Sequence, residues 1–251
     1  GALLCSRLSA GRLELGLVPL GALVIGVSGI ELASQSGFAG EQLTLGELLT
    51  MTGFWQMSTL LALVGLGGGL YSVPLYTLMQ LASREERRAR MIAANNILNA
   101  LFMVLSAVVG ILVLSVMKLS LFVLFACLGW AALLVGVALL IRNPRPALRL
   151  LIFALVQVLY RLRCRGRHHV PATGPALVVC NHVSFMDALV LGGACPRPLR
   201  FMMDRPIYEN PWINWFFRIA GAIPVDSDRR DPGGVRRALE EVSRALRNGE
   251  V

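Results

Sequence analysis

The stretch "CNHVSFMDALVL", residues 180–191, places Asn181, His182, Ser184 and Asp187 within seven positions, between two strongly apolar runs. A histidine beside a carboxylate is the side-chain pair of general-base chemistry. The carboxylate bonds one ring nitrogen and sets the tautomer, so that the other nitrogen can take a proton from a hydroxyl. Such a base needs no serine or cysteine nucleophile when the hydroxyl belongs to the acceptor. Spacing decides whether the two side chains can meet. Five positions apart on one continuous helix, they would lie about 140° apart around the axis. However, Ser184 followed three positions later by Asp187 is a capping-box pattern, which predicts a helix starting at Phe185. His182 then sits in the turn before the helix and Asp187 in its first turn, where the carboxylate can reach back to the imidazole. The same spacing also suits an ordinary cap beside a solvent-facing histidine. The pattern alone leaves both readings open.

The elements around this stretch come in two kinds. The chain has 251 residues, 55% hydrophobic and 16% charged, with a mean hydropathy of +0.64. Soluble domains carry nearer a quarter charged residues, so the composition is that of a membrane protein. Residues 1–141 hold 7 Lys/Arg and 6 Asp/Glu, and residues 142–251 hold 17 and 9. An apolar half is therefore joined to a basic half. The basic charge begins where the apolar stretches end, which assigns it to anionic lipid rather than nucleic acid. The five cysteines, Cys5, Cys127, Cys164, Cys180 and Cys195, form no CxxC or CxxH pair. They are expected to be reduced packing residues, with no disulfide and no metal site. The first residue is Gly and no signal peptide is evident, so the chain reads as an internal piece of something longer.

A bilayer core of about 30 Å needs about 20 apolar residues in a helix. Four stretches qualify, roughly 15–33, 55–81, 91–116 and 119–141; Leu48–Ser83 is uncharged for 36 residues and Met91–Met117 for 27. The flanking segments alternate between basic and poor in basic residues. Arg7 and Arg12 precede the first span, and residues 34–53 have no Lys or Arg. Residues 83–90 carry Arg84, Arg87, Arg88 and Arg90, the next turn has only Lys118, and residues 142–149 carry Arg142, Arg145 and Arg149. By the positive-inside rule this predicts a multi-pass membrane protein with residues 142–251 cytoplasmic; the resemblances set out below imply that the membrane is a bacterial inner membrane. In the second span Pro74 follows a run of glycines, which allow close helix approach. In the third, Asn95 and Asn99 share a face beside Asn96, suited to a bond with a neighbouring helix or to a substrate path.

Residues 142–167 begin with two X-Pro steps and continue as an amphipathic helix. Leu148, Leu151, Ile152, Leu155 and Leu159 recur along it with arginines at both ends, the pattern of a helix lying in the membrane interface. Beyond Pro171 the pattern changes to an α/β domain. Residues 175–180, 199–204 and 220–226 read as strands, and 184–193 and 206–219 as helices. A last helix is capped by Asp231, with Pro232 in its first turn and a stripe of Val235, Leu239, Val242 and Leu246, stopped by Asn248-Gly249. His168 and His169 are adjacent on an expected strand and read as surface residues. The aromatic run Trp212, Trp215, Phe216 and Phe217 suits either a core helix or an edge dipping into the interface.

"NHVSFMD" resembles the N-H-x-S-x-x-D form of the His-x4-Asp motif of glycerolipid acyltransferases, the 1-acylglycerol-3-phosphate and lysophospholipid acyltransferases. The resemblance covers residues 150–251, and it implies His182 as the base acting on a lysophospholipid or glycerol-phosphate hydroxyl, which attacks an acyl thioester. Asp187 orients the base, and Asn181 and Ser184 support the turn. No cofactor is implied; the donor is acyl-CoA or acyl carrier protein, and the acceptor is a membrane lipid. In that family's second block, similar to G-x-I-F-I-x-R, the arginine holds the acceptor's phosphate. Here "GAIPVDS" puts Ser227 at that position, a version similar to acylglycerophosphoethanolamine acyltransferase fusions. The phosphate contact is left to Arg200, Arg205, Arg229 or Arg230 as candidates. The third block, with a Phe-Pro-Glu-Gly core, is expected after Val251, so this segment alone is expected to be inactive. Residues 1–141 resemble the last third of a major facilitator superfamily transporter of the lysophospholipid-transporter branch. The expected architecture is thus a transmembrane α-helical bundle with a partial major facilitator fold (1–141), a linker with an interfacial amphipathic helix (142–167), and a truncated α/β acyltransferase domain (168–251). The rival function is lysophospholipid carriage with a vestigial tail.

Overall fold

In a computed structural model, the chain is described over residues 14–35, 44–166, 169–184, 186–226, 231 and 233–251. Cys5, Arg7, Arg12, His168, Phe185, Ser227, Arg229, Arg230 and Pro232 lie outside these residues. The chain forms two compact units, Gly1–Asn143 and Pro144–Val251.

The first unit is helical: α1 (Leu17–Ser34), the short α2 (Leu45–Thr50), α3 (Thr52–Ala82), α4 (Glu85–Ile111, continued by a π-helical turn to Val116) and α5 (Leu121–Arg142). Four helices are long and apolar enough to cross a membrane: α1, α3, α4 with its π-helical turn, and α5. They coincide with the four uncharged stretches to within a few residues, except that α4 begins six positions early, at Glu85. Acidic residues suit a helix's first turn, so Glu85 and Glu86 start the helix ahead of its apolar part.

Helix α1 packs between α3 and α5, and glycines set the spacing. A Cβ placed on Gly67 would lie 2.8 Å from the carbonyl oxygen of Gly21, and one on Gly129 would lie 2.9 Å from the carbonyl carbon of Gly29. Backbone therefore meets backbone, the packing that holds helices together when lipid removes the hydrophobic drive. Gly67→Val should force α1 and α3 apart at a cost of about 1–3 kcal/mol, seen as a lower Tm in detergent. Gly68, one position on, has nothing within 4 Å of an added Cβ, so Gly68→Ala should leave the Tm unchanged or raise it. Equal losses from the two variants would contradict this packing. Helix α4 is exposed along its length and is tied to α3 by Asn99, whose Nδ2 donates to Tyr76 Oη at 2.6 Å. Asn99 thus makes an interhelical bond, and Asn96, exposed as Asn99 is, makes none with a neighbouring helix among the described residues.

The second unit contains α6 (Pro144–Tyr160), α7 (Asp187–Ala194), β1 (Met202–Asp204), α8 (Arg205–Tyr208), α9 (Asn214–Ala220), β2 (Ile223–Val225) and α10 (Gly234–Arg247). β1 and β2 pair in parallel, Met202 with Ile223 and Asp204 with Val225, and α8 and α9 form the crossover between them. A parallel pair requires such a connection. Several expectations need correction. Residues 175–180 are not a strand: they belong to no ladder, and Leu177 and Val179 are exposed. The helix expected over 206–219 is two helices. Pro211 lacks a backbone donor, and Asn214 Nδ2 donates to Tyr208 O at 2.6 Å across the break.

The last helix is not capped by Asp231; its N-cap is Gly233 at φ +96°, and Asp231 pairs with Arg237 instead. Its buried positions are the small Gly234, Ala238 and Ala245, and Leu239 of the expected stripe is exposed. The helix packs on β2, and a Cβ on Gly234 would lie 2.9 Å from Asp226 Cβ. Finally, Cys127, Cys164 and Cys180 are exposed, and Cys195 is the buried thiol among the described residues.

Candidate active site

The turn from Asn181 to Asp187 is closed around one carboxylate oxygen. Asp187 Oδ2 accepts the backbone N–H of Val183 at 2.7 Å and that of Ser184 at 2.8 Å. Its N–H in turn donates to Ser184 O at 3.0 Å. The reach-back half of the predicted capping box is therefore formed. The other half is shifted, because Ser184 Oγ accepts from Met186 N at 3.2 Å rather than from Asp187, and the helix starts at Asp187.

The same Oδ2 lies 3.2 Å from His182 Nδ1. Histidine and aspartate meet as the turn geometry requires, with the imidazole 73% and the carboxylate 29% exposed. The Ser184 N–H, then the Val183 N–H, and to a smaller degree His182, hold the Asp187 carboxyl below its ordinary value of 3.8. A carboxylate so held remains charged throughout the neutral range. With the proton on Nδ1 facing it, Nε2 is the nitrogen left for proton transfer. Asn181 is exposed and makes no hydrogen bond in this turn among the described residues.

Helix α7 is seated through its glycines. A Cβ on Gly193 would lie 3.2 Å from Val156 Cβ, and one on Gly192 would lie 3.8 Å from Ile152 Cγ2. The amphipathic helix α6 is thus the bed on which the Asp187 helix rests. The "GG" of "LGGA" was the only sign of this in the sequence, and it named no partner.

Two of the candidate arginines, Arg200 and Arg205, have internal partners. Arg200 donates from Nε to Gly221 O at 2.8 Å and pairs with Glu241 at 2.7 Å and Glu250 at 3.0 Å. It joins the start of β1, the turn before β2, α10 and the C-terminal residues. Arg205, the first residue of α8, pairs with Asp226 just after β2 and with Glu209 at 3.4 Å. Asp226, foremost, raises the guanidinium's pKa above its ordinary value. Neither arginine is thereby brought to His182, and Arg229 and Arg230 lie outside the described residues. His169 is exposed and falls in a short turn rather than a strand. No cluster of His, Cys, Asp and Glu suited to a metal is present among the described residues.

Comparison with known proteins bears on this unit. Residues 161–251 match the acyltransferase family. The chain is also 26% identical over 87 residues to a 1-acyl-sn-glycerol-3-phosphate acyltransferase of Bacillus subtilis (strain 168), an alignment covering 34% of this chain and 42% of that protein. The chain thus spans about two fifths of the length of this relative. No solved structure matches. The acyltransferase match contains His182 and Asp187 and leaves the four long apolar helices outside it.

Proposed function

We propose that this chain carries the catalytic pair of a glycerophospholipid acyltransferase, which moves an acyl group from a thioester to a lysophospholipid or acylglycerol-phosphate hydroxyl. The observation that carries the reading is the His182–Asp187 contact, lying within the acyltransferase match. Nε2 of His182 takes the acceptor hydroxyl's proton as its oxygen bonds to the thioester carbonyl carbon. Collapse of the tetrahedral adduct breaks the C–S bond. The proton on the imidazolium then passes to the departing thiolate. Asp187 keeps the ring in the orientation that presents Nε2 and favours the imidazolium formed on the way. The donor is acyl-CoA or acyl carrier protein, and the acceptor lies in the cytoplasmic leaflet. The four apolar helices would be the last spans of a lysophospholipid carrier of the major facilitator type, a reading that rests on the resemblance of residues 1–141.

The test uses the longest polypeptide containing this chain, in membranes, with a labelled lysophospholipid and each of the two donors. Formation of labelled diacyl lipid is the expected outcome. No product with either donor, while lysophospholipid still crosses the bilayer, would replace this reading with the carrier one.

A further inference from the structure

The His182–Asp187 contact is made within one turn, and that turn stands clear of the domain. Asn181, His182, Val183 and Ser184 are all exposed, Val183 to 90%. The bonds that close the turn join Asp187 to Val183 and Ser184, and Met186 to Ser184. They fix the internal geometry of the pair but not its place on the domain. That place is passed on through α7, which starts at Asp187 and runs for eight residues without a break.

Helix α7 is held on α6 at its far end. Val156 is 1% exposed and faces Gly193, where an added Cβ would lie 3.2 Å from Val156 Cβ and 3.3 Å from both Cγ atoms. Three atoms of one stiff, branched side chain crowd that point together, so no rotamer of valine clears it. Just beyond the helix, Pro196 O accepts from Arg149 Nη2 at 2.8 Å, a second tie between the end of α7 and α6. Gly193 lies six positions, about 9 Å along the axis, from Asp187. A helix this short carries a displacement at one end to the other as a rigid body.

We propose that Val156 is a positioning residue for acyl transfer: its contact with Gly193 sets where α7, and with it the His182–Asp187 pair, stands against the bound substrates. The inference rests on the function proposed above. No atom of the α6–α7 seam needs to touch substrate for the rate to depend on it, because a misplacement of about 1 Å at a reacting centre can cost about 10²-fold.

The experiment compares Gly193→Ala, Gly192→Ala and the double variant Gly193→Ala/Val156→Ala in the longest polypeptide containing this chain, in membranes. Gly192→Ala makes the same change one position away, where the added Cβ meets Ile152 Cγ2 at an ordinary 3.8 Å. Gly193→Ala is expected to lose about tenfold or more in kcat with KM little changed, and Gly192→Ala to stay within about threefold of the parent. The double variant removes two of the three crowding atoms and should turn over several-fold faster than Gly193→Ala alone. The Asp187 carboxyl midpoint, read by ¹³C chemical shift, should stay below 3.8 throughout, because the bonds that hold it are local to the turn. Parental kcat in Gly193→Ala, equal losses from the two single variants, or no gain on adding Val156→Ala would each overturn the proposal. A fall in kcat with the midpoint raised to 3.8 or above would overturn it too, by placing the damage inside the turn. An inactive parent would instead remove the function proposed above, and this inference with it.

Discussion

Replacing His182 with alanine is expected to lower kcat for acyl transfer by about 10²–10⁴-fold, the contribution of a positioned general base. KM for the lysophospholipid should change little, because the imidazole acts on the proton as the new bond forms rather than on the lipid as a whole. The fold should survive, since the ring is 73% exposed and its removal uncovers no core. The measurement is steady-state acyl transfer by membranes containing the longest polypeptide with this chain, with far-UV circular dichroism as the folding control. A variant that keeps more than about a tenth of the parental rate would remove His182 from the role of base.

Asp187→Asn is the second large effect, and its signature differs. The carboxylate does two jobs through one oxygen: it closes the turn by accepting from Val183 and Ser184, and it orients the imidazole. An amide can keep part of the first job but not the charge needed for the second. A fall in kcat of about 10²–10³-fold is expected, together with a lower Tm that His182→Ala does not show. The pH dependence has a definite sign. The Asp187 carboxyl is held below 3.8 in the folded turn, so its stabilising contribution is fully present above that value. It is lost only as pH falls through the depressed folded value. Between neutral pH and mild acid the turn should hold. Carboxyl chemical shifts of ¹³C-labelled aspartate should show a midpoint for Asp187 below 3.8. A midpoint at or above it would mean that the two backbone donors do not engage the carboxylate in solution.

The features legible in the sequence share a short range. Uncharged runs of span length marked the four long apolar helices, because length and hydropathy are properties of a single segment. The His182–Asp187 contact was legible for a related reason. Its geometry is settled by a turn of a few residues, in which Asp187 and Ser184 each accept from backbone N–H groups of that same turn. Even the imperfect part, the helix starting at Asp187, is a shift of partners within that turn.

What only the tertiary structure decided depends on neighbours far along the chain. The run at residues 175–180 has the composition of a buried strand, but a strand exists only where another offers it hydrogen bonds, and among the described residues β1 pairs with β2 alone. Arg200 looked like a ligand for phosphate in the sequence; Gly221, Glu241 and Glu250, between 21 and 50 positions away, occupy its guanidinium. The apolar positions of α6 read as one stripe, and packing divided them. Gly192 and Gly193 let α7 approach Ile152 and Val156, which turned Leu151, Leu155 and Val158 outward. Hydropathy along the chain marks which residues avoid water, but the choice between covering them with protein and leaving them to lipid is made where helices meet.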